Sequence, residues 1–315
     1  MFSKNFSLGN IVMLFCGVFL MVSCGSDEEV KNITGLATDD AELSSLVSAL
    51  SEANLVTTLN GDGPFTVFAP TNEAFQSLLD SNGDWSTISD IPSDVLESVL
   101  LFHVLSGEVR AGDLSDTYVS TLSSGPDGSN VSLQVDVTGG VKFNGSALPL
   151  TTDIEASNGV IHKIDEVMLP PSIVNHALQN PNLSILVAAL TDTRHTTDFV
   201  SVLSEDGPFT VFAPTNTAFQ ALLDSNTAWN SLGDIPIATL DAVLKYHVVK
   251  SSANVQAADL TDGQAVEMLN DGGITIDLSD GAKISTSSNQ SVNIALTDVQ
   301  GTNGVVHVVD QVLLP

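Results

Sequence analysis

Six histidines stand among 38 acidic and nine basic side chains in this 315-residue chain, and four of them recur in register, His103 with His247 and His162 with His307. Imidazole is the side chain best suited to exchange a proton or hold a metal near neutral pH, so these positions are the first to weigh for chemistry. Their surroundings argue for architecture instead. His162 shares strand parity with Val160 and Ile164, and His307 with Val305 and Val309, so each ring points to the apolar side of its strand. His103 and His247 each close an apolar helical stretch. Thr71 and Thr215 are placed to cap helices, and with the histidines they read as structural residues. His176 and His195 have no partner motif and read as surface residues.

Other chemical patterns are soon exhausted. The chain has no Gly-x-Ser-x-Gly elbow, phosphate-binding Gly-rich loop, His-Glu-x-x-His pair or dinucleotide fingerprint. Asp262-Gly263, Asp271-Gly272-Gly273 and Asp280-Gly281 are acidic enough to suggest calcium, but their spacing is not that of an EF-hand. The alternation of Ile274, Ile276 and Leu278 makes them hairpin turns. Trp85 and Trp229 recur 144 residues apart between two helical stretches and read as packing residues rather than sugar-stacking platforms. No cofactor and no metal site is assigned, and the chain reads as non-enzymatic.

These positions recur because the chain is a duplication. Residues 62–82, DGPFTVFAPTNEAFQSLLDSN, return as residues 206–226 with changes only at Glu73/Thr217 and Ser77/Ala221, an offset of 144. Residues 158–170, NGVIHKIDEVMLP, return as residues 303–315, NGVVHVVDQVLLP, at an offset of 145. That period is too long for a solenoid unit and is the size of a self-sufficient domain. The chain divides into residues 1–23, a leader; 24–37, a tether; 38–170, a first domain; and 171–315, a second. Pro170-Pro171 leaves no Gly/Ser linker between the domains, which predicts a restricted mutual orientation.

The leader reads as an address. Lys4 precedes an apolar run over residues 11–22 that is too short to span a bilayer, and Met21-Val22-Ser23-Cys24 follows. This resembles a bacterial lipobox, in which the cysteine becomes the acylated N-terminus. Cys16, the only other cysteine, lies in the leader, so Cys24 has lipid attachment as its available role. Gly25-Ser26-Asp27-Glu28-Glu29 resembles the acidic tag that sends some lipoproteins to the outer membrane surface. The polar stretch behind Cys24 gives a tether with a reach of roughly 20 Å. The expected location is the bacterial outer membrane or cell surface, with the membrane contacted through the acyl anchor only.

The formal charge of −29 excludes nucleic acid as a partner, because the chain has no basic stripe with which to release counterions from phosphates. A hydrophobic content of 43% is ample for two cores.

Within each repeat, helical periodicity comes first and strand alternation later. Leu43, Leu46, Val47, Leu50 and Leu55 predict an amphipathic helical segment over residues 39–59, with 173–203 as its counterpart. A strand over 65–68 ends at Pro70, and Thr71 opens a helix carrying Ala74, Phe75, Leu78 and Leu79. A second helix, 93–101 or 237–245, leads into apolar strand residues, and 132–137 and 141–143 alternate about Gly139-Gly140. The fold class is α+β: two tandem domains, each a twisted antiparallel β-wedge flanked by α-helices.

TVFAPTNEAF and NGVIHKIDEVMLP, with LLFHVL and LKYHVV between them, resemble the hallmark blocks and central His motif of the fasciclin (FAS1) domain, over essentially the whole chain after the leader. The resemblance implies a compact surface-exposed or secreted module used in adhesion and in binding extracellular protein or glycan, with no common catalytic centre. It also implies two contact motifs, Tyr-His and Asp-Ile. The second repeat keeps Tyr246-His247 where the first has Phe102-His103, and the first keeps Asp153-Ile154 where the second has Asp298-Val299. Asp153, Ile154, Tyr246 and His247 are therefore the candidate partner-binding residues. The expected function is lipid-anchored adhesion or extracellular binding of matrix, glycan or partner protein. The alternatives are a hydrolase acting on extracellular polymers and a structural envelope spacer.

Overall fold

A computed structural model describes residues 30–315 of the protein; the leader and Cys24 lie outside the described residues. The first repeat contains helices α1 (Ile33–Asp39), α2 (Ser44–Glu52) and α3 (Val56–Leu59), strand β1 (Phe65–Pro70), helices α4 (Asn72–Ser81) and α5 (Ser93–Phe102), and strands β2 (Val104–Ser106), β3 (Thr117–Ser124), β4 (Asn130–Asp136), β5 (Lys142–Phe143), β6 (Pro149–Ala156) and β7 (Gly159–Ile164). The second contains α6 (Ile173–Gln179), α7 (Ser184–Leu190), α8 (Phe199–Leu203), β8 (Phe209–Pro214), α9 (Asn216–Asp224), α10 (Ile237–Lys245), β9 (Ala265–Glu267), β10 (Gly273–Asp277), β11 (Lys283–Thr286), β12 (Ser291–Gly301) and β13 (Gly304–Val309). The architecture is α+β in both repeats.

Strand β1 explains the layering. Val67 and Ala69 belong to the core shared with the helices, whereas Phe68 enters a second core with Phe102, Leu133 and Phe143. Alternate residues thus feed opposite faces of one strand, and both faces are covered, which is why FTVFAP is apolar almost throughout. Val211, Ala213 and Phe212 divide in the same way in β8. Pro70 ends the strand, and Thr71 caps α4 by accepting from the Ala74 amide at 3.3 Å. Thr215 does the same for α9, accepting from Ala218 at 3.2 Å.

The sheets are mixed rather than antiparallel. β1 pairs antiparallel with β2 but parallel with β7, from Phe65 opposite Gly159 to Pro70 opposite Ile164, and β8 pairs parallel with β13. Alternation identifies a strand but not its partner, and the helices and strands between β1 and β7 supply the long crossover that parallel pairing needs.

The helical segment expected over residues 39–59 is made of a short 3-10 turn, α2 and α3, the last two separated where the chain turns at Asn54, whose φ is +57°. Residues 33–37, expected to belong to the tether, lie in α1, which Asn32 caps through the Gly35 amide at 2.9 Å and which buries Ile33 and Ala37.

Side chains join the repeats directly. The Gln300 amide donates to Ser132 Oγ at 3.0 Å, and Asn180 Nδ2 donates to the Tyr118 hydroxyl at 3.0 Å. Tyr118 also packs edge-on against His176, with ring centroids 5.5 Å apart.

Candidate functional site

The repeated polar side chains converge on backbone, not on a cleft. At the end of α5, His103 is buried; its Nδ1–H donates to the Val99 carbonyl at 2.7 Å and its Nε2 accepts from the Met168 amide at 3.0 Å. His247 repeats the arrangement at the end of α10, donating to Val243 at 2.7 Å and accepting from Leu313 at 2.9 Å. These bonds fix one neutral tautomer, because a second ring proton would face an amide N–H. Burial lowers the pKa of both rings from 6.5 to about 4. Each ring ties a helix terminus to the last segment of its repeat.

The second histidine pair takes the opposite tautomer. His162 donates from Nε2 to the Val109 carbonyl at 2.9 Å and accepts at Nδ1 from the Asp153 amide at 3.3 Å. His307 does the same with Val255 at 2.9 Å and Asp298 at 3.3 Å, and burial lowers its pKa. Asp153 and Asp298 sit at bulges with φ of +58° and +60°, a conformation Asp tolerates better than most residues. Their carboxylates accept from the Ala111 amide at 2.8 Å and the Ala257 amide at 2.7 Å. Aspartate, histidine and loop backbone therefore form one clasp in each repeat.

This geometry places the sequence-predicted contact residues differently from one another. Tyr246 is fully buried in the second repeat's core and donates its hydroxyl to the Gly273 carbonyl at 2.6 Å; His247 is buried beside it. Phe102 occupies the equivalent core position without that bond. Asp153 and Ile154 are half-buried, with Ile154 packed against the helical core. The two motifs belong to different repeats and form no joint surface.

His176 is buried and His195 is half-buried with its ring turned inward, its side chain 3% exposed, contrary to the sequence expectation. His176 donates from Nε2 to the Gln300 carbonyl at 3.0 Å, and burial lowers its pKa to about 4. His195 donates from Nε2 to the Ala189 carbonyl at 2.7 Å and pairs through Nδ1 with Asp241. Each answers to a neighbour distant in sequence, so no local pattern marks it.

Sequence reasoning also missed the role of repeated asparagines. Asn158 Oδ1 accepts from the Ile33 amide at 3.0 Å, and its Nδ2 donates to the Leu59 and Gly61 carbonyls at 2.8 and 2.9 Å. Asn303 holds Ile173, Leu203 and Glu205 in the same way. Recurrence of an Asn within both matched blocks was the available signal. Gly159 completes the corner, since a Cβ there would lie 2.0 Å from the Phe65 carbonyl oxygen. Among the described residues no group of three His, Cys, Asp or Glu side chains is placed to hold a metal ion.

A pair of α+β repeats whose hallmark blocks pin helices, loops and a mixed sheet together defines a tandem two-domain module, and comparison with known proteins gives it a family. The Fasciclin domain profile matches residues 41–170 and 181–315, and the chain belongs to the fasciclin domain family. It is similar to Protein sll1483 of Synechocystis sp., 37% identical over 151 residues, covering 48% of this chain and 80% of that one. It is also similar to transforming growth factor-beta-induced protein ig-h3 of Sus scrofa, 31% identical over 257 residues, covering 82% of this chain but only 35% of that longer protein. Cell surface glycolipoprotein MPB83 of Mycobacterium bovis is 34% identical over 143 residues, covering 43% of this chain and 59% of MPB83. Fasciclin domains are found in cell-adhesion and extracellular-matrix proteins.

Proposed function

We propose that this protein is a lipid-anchored, non-enzymatic surface protein that binds extracellular protein or glycan through its paired fasciclin domains. The observation that carries the reading is the combination of two fasciclin repeats, joined by direct side-chain contacts, with a lipobox-like Met21-Val22-Ser23-Cys24 ahead of them. MPB83, a relative over one repeat, is by name a cell surface glycolipoprotein, which supports an acylated Cys24 and a place on the outer membrane or cell surface. More than one acyl chain makes such anchoring stable, and the acidic surface adds no attraction to anionic lipid. Because Tyr246 and His247 are buried, the binding face lies on exposed surface, with half-buried Asp153 and Ile154 at most on its border.

The test has two arms. Radiolabelled palmitate should enter the wild-type protein and not Cys24→Ser, and the mature protein should bind members of a matrix-protein and glycan array saturably, without consuming them. Label in the Cys24→Ser protein would overturn the anchor. Cleavage of an array polymer, abolished by one carboxylate substitution, would overturn the non-enzymatic reading in favour of a hydrolase, and silence across the array would overturn the binding reading.

A further inference from the structure

The junction of the repeats holds a groove of about 660 Å³, within the range of sites that take small ligands. The first repeat contributes Tyr118, Asp136 and Lys142, and the second contributes Asn182, Thr217 and their neighbours. Several of these groups keep unspent capacity. The Tyr118 hydroxyl oxygen accepts from Asn180, which leaves its own hydrogen to donate. Among the described residues only the backbone of Asn182 is engaged, donating to Asn180 Oδ1 at 2.9 Å, which leaves its side-chain amide to donate and accept. Among the described residues the Thr217 hydroxyl makes no hydrogen bond, and no carboxylate lies within ion-pair distance of the Lys142 ammonium.

We propose that this groove binds an uncharged oligosaccharide. The inference rests on the reading of the protein as an extracellular binder and assigns that reading a site and a ligand class. A sugar hydroxyl both donates and accepts, which matches a wall of amide, hydroxyl and carboxylate groups in which neither role predominates. The Tyr118 ring supplies apolar surface beside them, as recognition of a sugar's C–H face requires. A polyanionic ligand is disfavoured, because Asp116 and Asp136 outnumber Lys142 in the groove and the whole chain carries −29. An extended peptide is disfavoured as well. β4 is paired on both sides, with β5 and β3, and the edge strand β5 is only two residues long with Phe143 bridged to Ala147, so the sheet offers almost no free edge to add a strand.

The experiment is a titration of the full mature protein with neutral gluco-, galacto-, manno- and xylo-configured tetrasaccharides and their uronate counterparts, followed by saturation-transfer NMR and calorimetry. At least one neutral series should bind saturably. Asn182→Ala should weaken binding at least tenfold with unchanged melting temperature, since that side chain makes no hydrogen bond among the described residues. Tyr118→Phe, which keeps the ring against His176, should weaken it as well. Binding unaffected by both substitutions would overturn the site while leaving the binder reading intact. Binding confined to uronates, or to protein ligands of the array alone, would overturn the ligand class. Silence toward every sugar and every protein would overturn this inference together with the reading beneath it.

Discussion

Lowering the pH from 7 to 5 perturbs this protein through its buried rings, most strongly His103, His176 and His247. Burial holds each neutral in the folded state, with a pKa lowered from 6.5 to about 4. The unfolded chain takes up a proton on each near 6.5 and the folded chain does not, so stability is complete above about 6.5 and falls as the pH drops toward 4. The displacement corresponds to about 3 kcal/mol per ring at full development, and between those limits each ring contributes a slope of about 1.4 kcal/mol per pH unit. One such ring lies in the first repeat and two in the second, where burial also lowers the pKa of His307, so the second repeat loses stability at least twice as steeply. Repulsion among the 38 acidic side chains is relieved on acidification, which opposes this trend, but chiefly near the carboxylate range of about 4. Trp85 and Trp229 report separately on the two repeats. Urea unfolding of Trp85→Phe and Trp229→Phe proteins between pH 7.5 and 5 therefore gives one slope per repeat. His103→Gln should remove the slope of the first repeat and leave that of the second. Flat stability between pH 6.5 and 5, or an undiminished slope in His103→Gln, would refute the reasoning.

Two further substitutions test the pins themselves. Tyr246→Phe removes the bond from the buried phenol to the Gly273 carbonyl and should cost about 1 kcal/mol, read as a lower melting temperature with ligand binding retained; lost binding at unchanged stability would instead make Tyr246 a contact residue. Asn158→Ala removes three buried or part-buried hydrogen bonds and should cost about 2–4 kcal/mol in denaturant unfolding, with Asn303→Ala alike; a cost under about 0.5 kcal/mol would contradict the pinning role.

Local chemistry made part of this molecule legible in its sequence. Thr71 and Thr215 cap helices because a hydroxyl ahead of a helix satisfies a free amide, a rule that operates within four residues. The parity of His162 with Val160 and Ile164 placed its ring toward the apolar side because a strand alternates strictly. Whatever depends on distant partners stayed hidden. The parallel pairing of β1 with β7, the burial of His176 against Gln300 and the asparagine pins each join residues about a hundred positions apart. The junction groove was invisible for a related reason: Tyr118 and Asn182 lie outside the matched blocks and 64 positions apart, so no local pattern brings them together.

The repeated histidines tie the fold together in two opposite tautomers. Long-range proton–nitrogen correlation NMR of the nitrogen-labelled protein at pH 7 reads this directly. His103 and His247 should carry their proton on Nδ1, and His162 and His307 on Nε2, with the first pair still neutral at pH 5. A shared tautomer across all four rings, or His103 and His247 titrating near 6.5, would contradict it.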